Sequence, residues 1–247
     1  GGVGVGTVGC NAGLIRGGGP GGRGGGEGGA AVGGIASTAL FGGTAGGNTV
    51  PVNEGLEGGG LVGARAYQGD ASVAAQGGIA GTFGNNKVET KGTGGAGYLM
   101  GGGLVGALAY RGATGTATVG GIASTAQFGG NTVSVNEYLQ GGGLVGAQSV
   151  GGLASLGVVK GRFSDNRVEV GSFLHGGGMV GAIARDTAAG TALLGGFDGA
   201  AFARNRVAVG AKAVAANEGW ALGGMVAVTG LTADLSVKDS SFTDNAL

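Results

Sequence analysis

The sequence predicts an all-β fold, a parallel β-helix (β-solenoid) of repeats of roughly 40 residues, with two coils per repeat. Three observations predict it. Phe followed by Asn and then an aliphatic residue recurs six times, beginning at Phe41, Phe83, Phe128, Phe163, Phe202 and Phe242. A glycine-flanked pair follows five of them: GGGLVGA at Gly58, Gly101 and Gly141, GGGMVGA at Gly176 and LGGMVAV at Leu222. The residues after each Asn alternate, with Val133 and Val135 on one side and Thr132 and Ser134 on the other, and Val168 and Val170 opposite Arg167 and Glu169. Period two with β-branched residues on one face marks a half-buried strand.

Residues 1–32 are a glycine-rich N-terminal segment, expected to form a degenerate first coil or to be partly flexible. The stretch at 17–29, GGGPGGRGGGEGG, is the least able to order. Residues 33–247 form the repeat domain, which ends within its last repeat. Each unit opens with Gly-Gly, before Ile35, Ile79, Ile122, Leu153 and Phe197. Residues 33–64 and 120–147 nearly duplicate one another, apart from the insertion Thr44 to Gly47. Copies stacked at about 4.8 Å would pile Phe83, Phe128, Phe163, Phe202 and Phe242 into a structural ladder. Asn86, Asn131, Asn166, Asn205 and Asn245 would form a second, hydrogen-bonded ladder at a turn. Asn can donate and accept along such a stack and tolerates left-handed backbone. Lys87 with Glu89 and Arg167 with Glu169 then stand on the solvent face. Glycine permits the corners. No 3.6-residue apolar stripe persists, and glycine costs a helix about 1 kcal/mol per residue. A β-sandwich or a β-propeller is the runner-up.

Composition narrows the class. Glycine supplies 68 of 247 residues but has no three-residue period, and there are only two prolines, which excludes collagen. With 42% hydrophobic residues at repeating positions, the repeat domain is not flexible low-complexity chain. The formal net charge of zero gives no electrostatic case for nucleic acid or for an anionic membrane. A lone cysteine, Cys10, supports neither a disulfide framework nor a cysteine zinc site. No Lys/Arg-led apolar segment stands near Gly1, and no run of about 18 apolar residues occurs. Membrane insertion by this stretch itself is therefore not expected.

The phrase F-x-x-N-x-V followed by GGG-[LM]-V resembles the F-x-x-N and G-G-[ALVI] repeats of polymorphic outer membrane proteins and related autotransporter passenger domains. GGGLVG is also similar to the glycine-rich GLUG repeat of bacterial surface proteins. The likeness covers most of residues 33–247. It implies an extracellular or bacterial cell-surface location, with outer-membrane anchorage through a region outside this stretch, and a role as stalk, adhesin or matrix/filament component.

Few residues suggest chemistry. His175, the sole histidine, occupies a slot filled by Glu57, Met100 and Gln140 in other copies, and reads as a solvated loop residue. Asp165, Asp198 and Asp244 raise calcium, but most glycine turns lack the Asp that a calcium-binding repeat needs. Asn53-Glu54, Asn136-Glu137 and Asn217-Glu218 read as solvated turns. No catalytic, metal or cofactor site is expected, and the protein is read as non-enzymatic. Two insertions are candidate binding loops, one with Lys91 and Tyr98, the other with Lys212, Glu218 and Trp220. Their partners would be a host or neighbouring-cell surface protein or a glycan, alongside end-to-end self-association. Two alternatives stand beside this reading: a polysaccharide-acting enzyme on a β-helix scaffold, and an ice-binding solenoid.

Overall fold

Glycine corners break the chain into runs too short for a helix, and none forms among the described residues. The computed structural model describes residues 15–16, 29–42, 46–67, 69–94, 96–110, 115–185, 190–210, 225–229 and 232–246. The chain is all-β, and its strands assemble into several parallel sheets. Sheet I holds Ile15–Arg16, Leu56–Gly59, Leu99–Gly102, Tyr138–Gly142 and Phe173–Gly177. Sheet II holds Val62–Tyr67, Val105–Tyr110, Val145–Val150, Val180–Arg185 and Val226–Thr229. Sheet III runs from Ala30–Val32 through Ala71–Val73, Ala117–Val119, Leu153–Leu156 and Thr191–Leu194 to Thr232–Asp234.

Sheet IV carries the Phe positions, in Leu40–Phe41, Thr82–Gly84, Gln127–Gly129, Arg162–Ser164, Ala201–Ala203 and Ser241–Thr243. Sheet V follows each Asn, in Thr49–Val52, Lys87–Thr90, Thr132–Val135, Arg167–Val170 and Arg206–Val209. A short pair, Phe197–Asp198 with Val237–Lys238, extends a row of single bridges through Ile35, Ile79, Ile122 and Val159.

Every sheet joins equivalent positions of consecutive repeats: Phe83 pairs with Phe128, Val88 with Val133 and Leu99 with Leu139. Successive Asn residues of the ladder are 35 to 45 positions apart. One repeat thus supplies one strand to each sheet. This corrects the expected two coils per repeat, which would pair strands half a repeat apart. The repeat spends its length on five strands of three to six residues and the corners between them, leaving none for a second turn. Parallel pairing throughout also departs from the antiparallel blades of a propeller.

The inward faces build one core. Phe41, Phe83, Phe128, Phe163, Phe202 and Phe242 stack with centroids 4.6 to 4.8 Å apart and planes within 3°. Phe83, Phe128, Phe163 and Phe202 are wholly buried. Each such ring contributes about 1.5–3 kcal/mol through removal from water. Beside them the Asn ladder is saturated. In each step one Asn donates its backbone N–H and its Nδ2 to Oδ1 of the next, as Asn86 does to Asn131 at 3.0 and 2.9 Å. The second Nδ2 hydrogen goes to a Phe carbonyl of the repeat before, as from Asn131 to Phe83 at 2.8 Å.

Left-handed backbone falls one residue earlier than the sequence suggests. Asn85, Gly130, Asp165, Arg204 and Asp244, each just before a ladder Asn, have φ between 53° and 65°. The ladder Asn turns inward to hydrogen-bond along the stack, so the corner itself is made by its predecessor.

Candidate functional site

Sheets I and II meet at the glycine triplets, where the chain reverses too tightly for any side chain. Gly141 has φ of 113°, and a Cβ there would collide with the carbonyl oxygen of Gly101 in the repeat before. This sharp bend brings the outward faces of the two sheets together in a seam outside the main core. Its pairs change from level to level. Glu57 and Arg65 form an ion pair, and Gln148 Nε2 donates to Gln140 Oε1 at 2.9 Å. Between them in register lie Met100 and Leu108, and the next level holds His175 and Ile183.

The seam is dry. Leu108, Gln148 and Ile183 are wholly buried, and Glu57 and Gln140 are 5% and 4% exposed. Stacked rings of Tyr98, Tyr138 and Phe173, 5.1 to 5.3 Å apart, line one rim, and Tyr67 with Tyr110 stands in sheet II. The Tyr98 hydroxyl donates to Glu57 Oε1 at 3.0 Å. Burial, and then the Glu57 carboxylate, pushes that hydroxyl far above the usual tyrosine range. Burial, and then Glu137, raises Tyr138.

His175 departs from the expected solvated loop. It stands in the strand Phe173–Gly177, half-buried, with its Nε2 enclosed and unbonded. Burial, and then Arg185, lowers its pKa. The signal that could have revealed the seam is a chemical match, at three of the four levels, between the pre-triplet residue and the one eight positions on: Glu57 with Arg65, Met100 with Leu108 and Gln140 with Gln148.

Of the candidate binding residues, Tyr98 is committed to the aromatic column and to Glu57. Lys91 is exposed just past Lys87–Thr90, with its N–H donating to the Val52 carbonyl at 2.9 Å. Lys212, Glu218 and Trp220 lie outside the described residues.

Two troughs mark the outer surface. One, of about 350 Å³, lies along sheet V and is lined by Glu89, Ser134, Asn136 and Glu169 among others. Its carboxylates are engaged: Glu89 with Lys87 at 3.2 Å, and Glu169 with Arg167 Nε at 2.7 Å. Ser134 Oγ donates to Glu169 at 3.5 Å. Among the described residues, no group of three or more His, Cys, Asp or Glu could hold a metal ion.

The larger trough, of about 1020 Å³, lies across the outer face of sheet IV. Because Phe points inward, the residues on either side of it point out. They form two rows, the exposed Leu40 followed by Thr82, Gln127 and Arg162 before the Phe, and Gly84, Gly129 and Ser164 after it. The left-handed corner at Asn85, Gly130 and Asp165 bounds the second row. Asp165 accepts two hydrogen bonds from Arg204, each 2.7 Å, which hold its carboxyl below the usual range. This face offers hydrogen-bonding side chains over a nearly bare floor. Neither a protein-family model, nor a curated protein, nor a solved structure matches this chain.

Proposed function

We propose that residues 33–247 are a parallel β-solenoid acting as a non-enzymatic scaffold in a bacterial surface protein of the autotransporter-passenger type. Its role in this reading is that of stalk, adhesin or matrix component. One observation carries it: every sheet is extended by equivalent strands of consecutive repeats, with the Phe and Asn columns unbroken from Phe41 to Asn245. An architecture that adds one rung per repeat supplies length and a continuous outer surface. The resemblance of its F-x-x-N and GGG-[LM]-V phrases to passenger repeats supports display outside the cell. The engagement of the sheet V trough's carboxylates, Glu89 by Lys87 and Glu169 by Arg167, supports a holding role.

The test is location and accessibility in the source cells. Antibodies raised against this chain should label intact cells, and external protease should remove the label. Recovery of the protein only inside unlysed cells would overturn the reading.

A further inference from the structure

We propose that the trough on sheet IV binds an extended, neutral, β-linked polysaccharide lying along the stack axis; this rests on the scaffold reading above and names its ligand. The argument starts from Gly129, the last residue of the strand Gln127–Gly129. Glycine weakens a strand, and in this position it usually has a reason in the fold. Its neighbour Gly130 has one: φ is 65°, and a Cβ would run into the Asn85 side chain. Gly129 has none. Its φ is not in the left-handed region, and a Cβ would meet nothing closer than Ser164 Oγ at 3.7 Å. The same row holds Ser164, Ala203 and Thr243 in later repeats, so the fold accepts a side chain there. A bare floor that packing does not require fits close approach from outside.

Shape and spacing favour a chain molecule. The trough crosses the strands at 82–84, 127–129 and 162–164, and successive levels rise by about 4.8 Å. That rise is close to the length of one pyranose unit in an extended β-linked chain. A polymer along the trough would therefore meet equivalent positions with successive sugars.

The lining selects the chemistry. Thr82 and Gln127 offer an uncharged hydroxyl and amide beside the glycine floor, which suits sugar hydroxyls above and the C–H face of the ring below. Charge enters only with Arg162 and Asp165 on the last level, and Asp165 is already held by Arg204. A peptide cannot join sheet IV as an added strand along this face, because neighbouring strands already pair across it from Leu40–Phe41 to Ser241–Thr243. The zero net charge gives no drive toward a polyanion.

Native affinity electrophoresis of the whole chain tests this. Hydroxyethyl cellulose and galactomannan supply extended neutral chains, dextran a flexible neutral one and polygalacturonate an acidic one. Retardation by at least one extended neutral polymer is expected, with Gly129→Leu weakening it tenfold or more. Gln127→Ala, at an exposed position, should weaken it severalfold and serves if Gly129→Leu does not fold. The proposal is overturned if neither extended polymer retards the chain, if only polygalacturonate does, or if the folded variants bind like the parent. Circular dichroism on the same samples separates the two claims. A β-rich parent that binds nothing sinks the glycan alone, whereas a parent without β structure sinks the scaffold and the glycan with it.

Discussion

Asn131 Oδ1 takes two hydrogen bonds from Asn86, one from its backbone N–H at 3.0 Å and one from its side-chain amide at 2.9 Å. Asn131 in turn donates to Asn166 and to the Phe83 carbonyl, so each polar atom of its amide is used inside the core. Replacement by Ala strands buried donors on one side and acceptors on the other. Asn131→Ala should lower the unfolding free energy by about 3 kcal/mol or more, read from the denaturant midpoint. Asn131→Asp should cost more at neutral pH, since a carboxylate cannot donate to Asn166 or to Phe83. An Asp variant as stable as the parent would show that the ladder's direction carries no energy.

The Glu57–Arg65 ion pair sits in the seam with side chains only 7% and 14% exposed. Removing one partner leaves a charge in a dry site. Arg65→Leu alone should therefore cost about 3–5 kcal/mol. The next level shows what replaces the pair, since Met100 and Leu108 stand in register with Glu57 and Arg65. The double variant Glu57→Met with Arg65→Leu should recover most of the loss. A double-mutant cycle by chemical denaturation reads the coupling, and additive losses would contradict a shared dry seam.

His175 gives the stability a pH dependence with a fixed sign. Burial and Arg185 hold its folded pKa below 6.5, while the unfolded chain titrates near 6.5. The unfolded state then binds the extra proton as pH falls through about 6.5, and stability declines until the folded pKa is reached. Among the described residues, Gln140 stands beside it in register and supplies no negative charge. It is the sole histidine, so little else titrates between pH 5 and 7. Thermal melts at pH 7 and pH 5 should differ in the parent and converge in His175→Gln. An unchanged slope in that variant would place the titrating group elsewhere.

The all-β class was legible because the stacked positions repeat by identity: Phe83, Phe128 and Phe163 can be aligned by eye, as can Val88, Val133 and Val168. The number of turns per repeat was not, because strands as short as Thr82–Gly84 are too brief for their alternation to stand out in the sequence. Placing the left-handed residue failed for a related reason. Asn is the residue type that favours that conformation, but its side chain was needed inside, and Asp165 or Arg204 took the corner instead. The seam escaped notice because a column reading Glu57, Met100, Gln140 and His175 looks unconstrained. Its order lies across the seam, between residues such as Gln140 and Gln148. The sheet IV trough was hidden by abundance, since Gly129, which packing does not require, looks in the sequence like any other of the 68 glycines.

That distinction between needed and unneeded glycines is itself measurable. Gly141 combines a φ of 113° with a neighbouring carbonyl where its Cβ would stand. Gly141→Ala should lose about 1–2 kcal/mol from backbone conformation alone, with steric overlap adding to it. Gly129 has room for a Cβ at an ordinary φ, with Ser164 as the natural occupant of its row. Gly129→Ser should leave stability unchanged or raise it slightly, because a strand residue with a side chain restricts the unfolded chain. Paired denaturation curves of the two variants decide the point. Equal losses would mean that glycine serves the fold in the same way at both positions, and would remove the reason for looking outside the protein to explain Gly129.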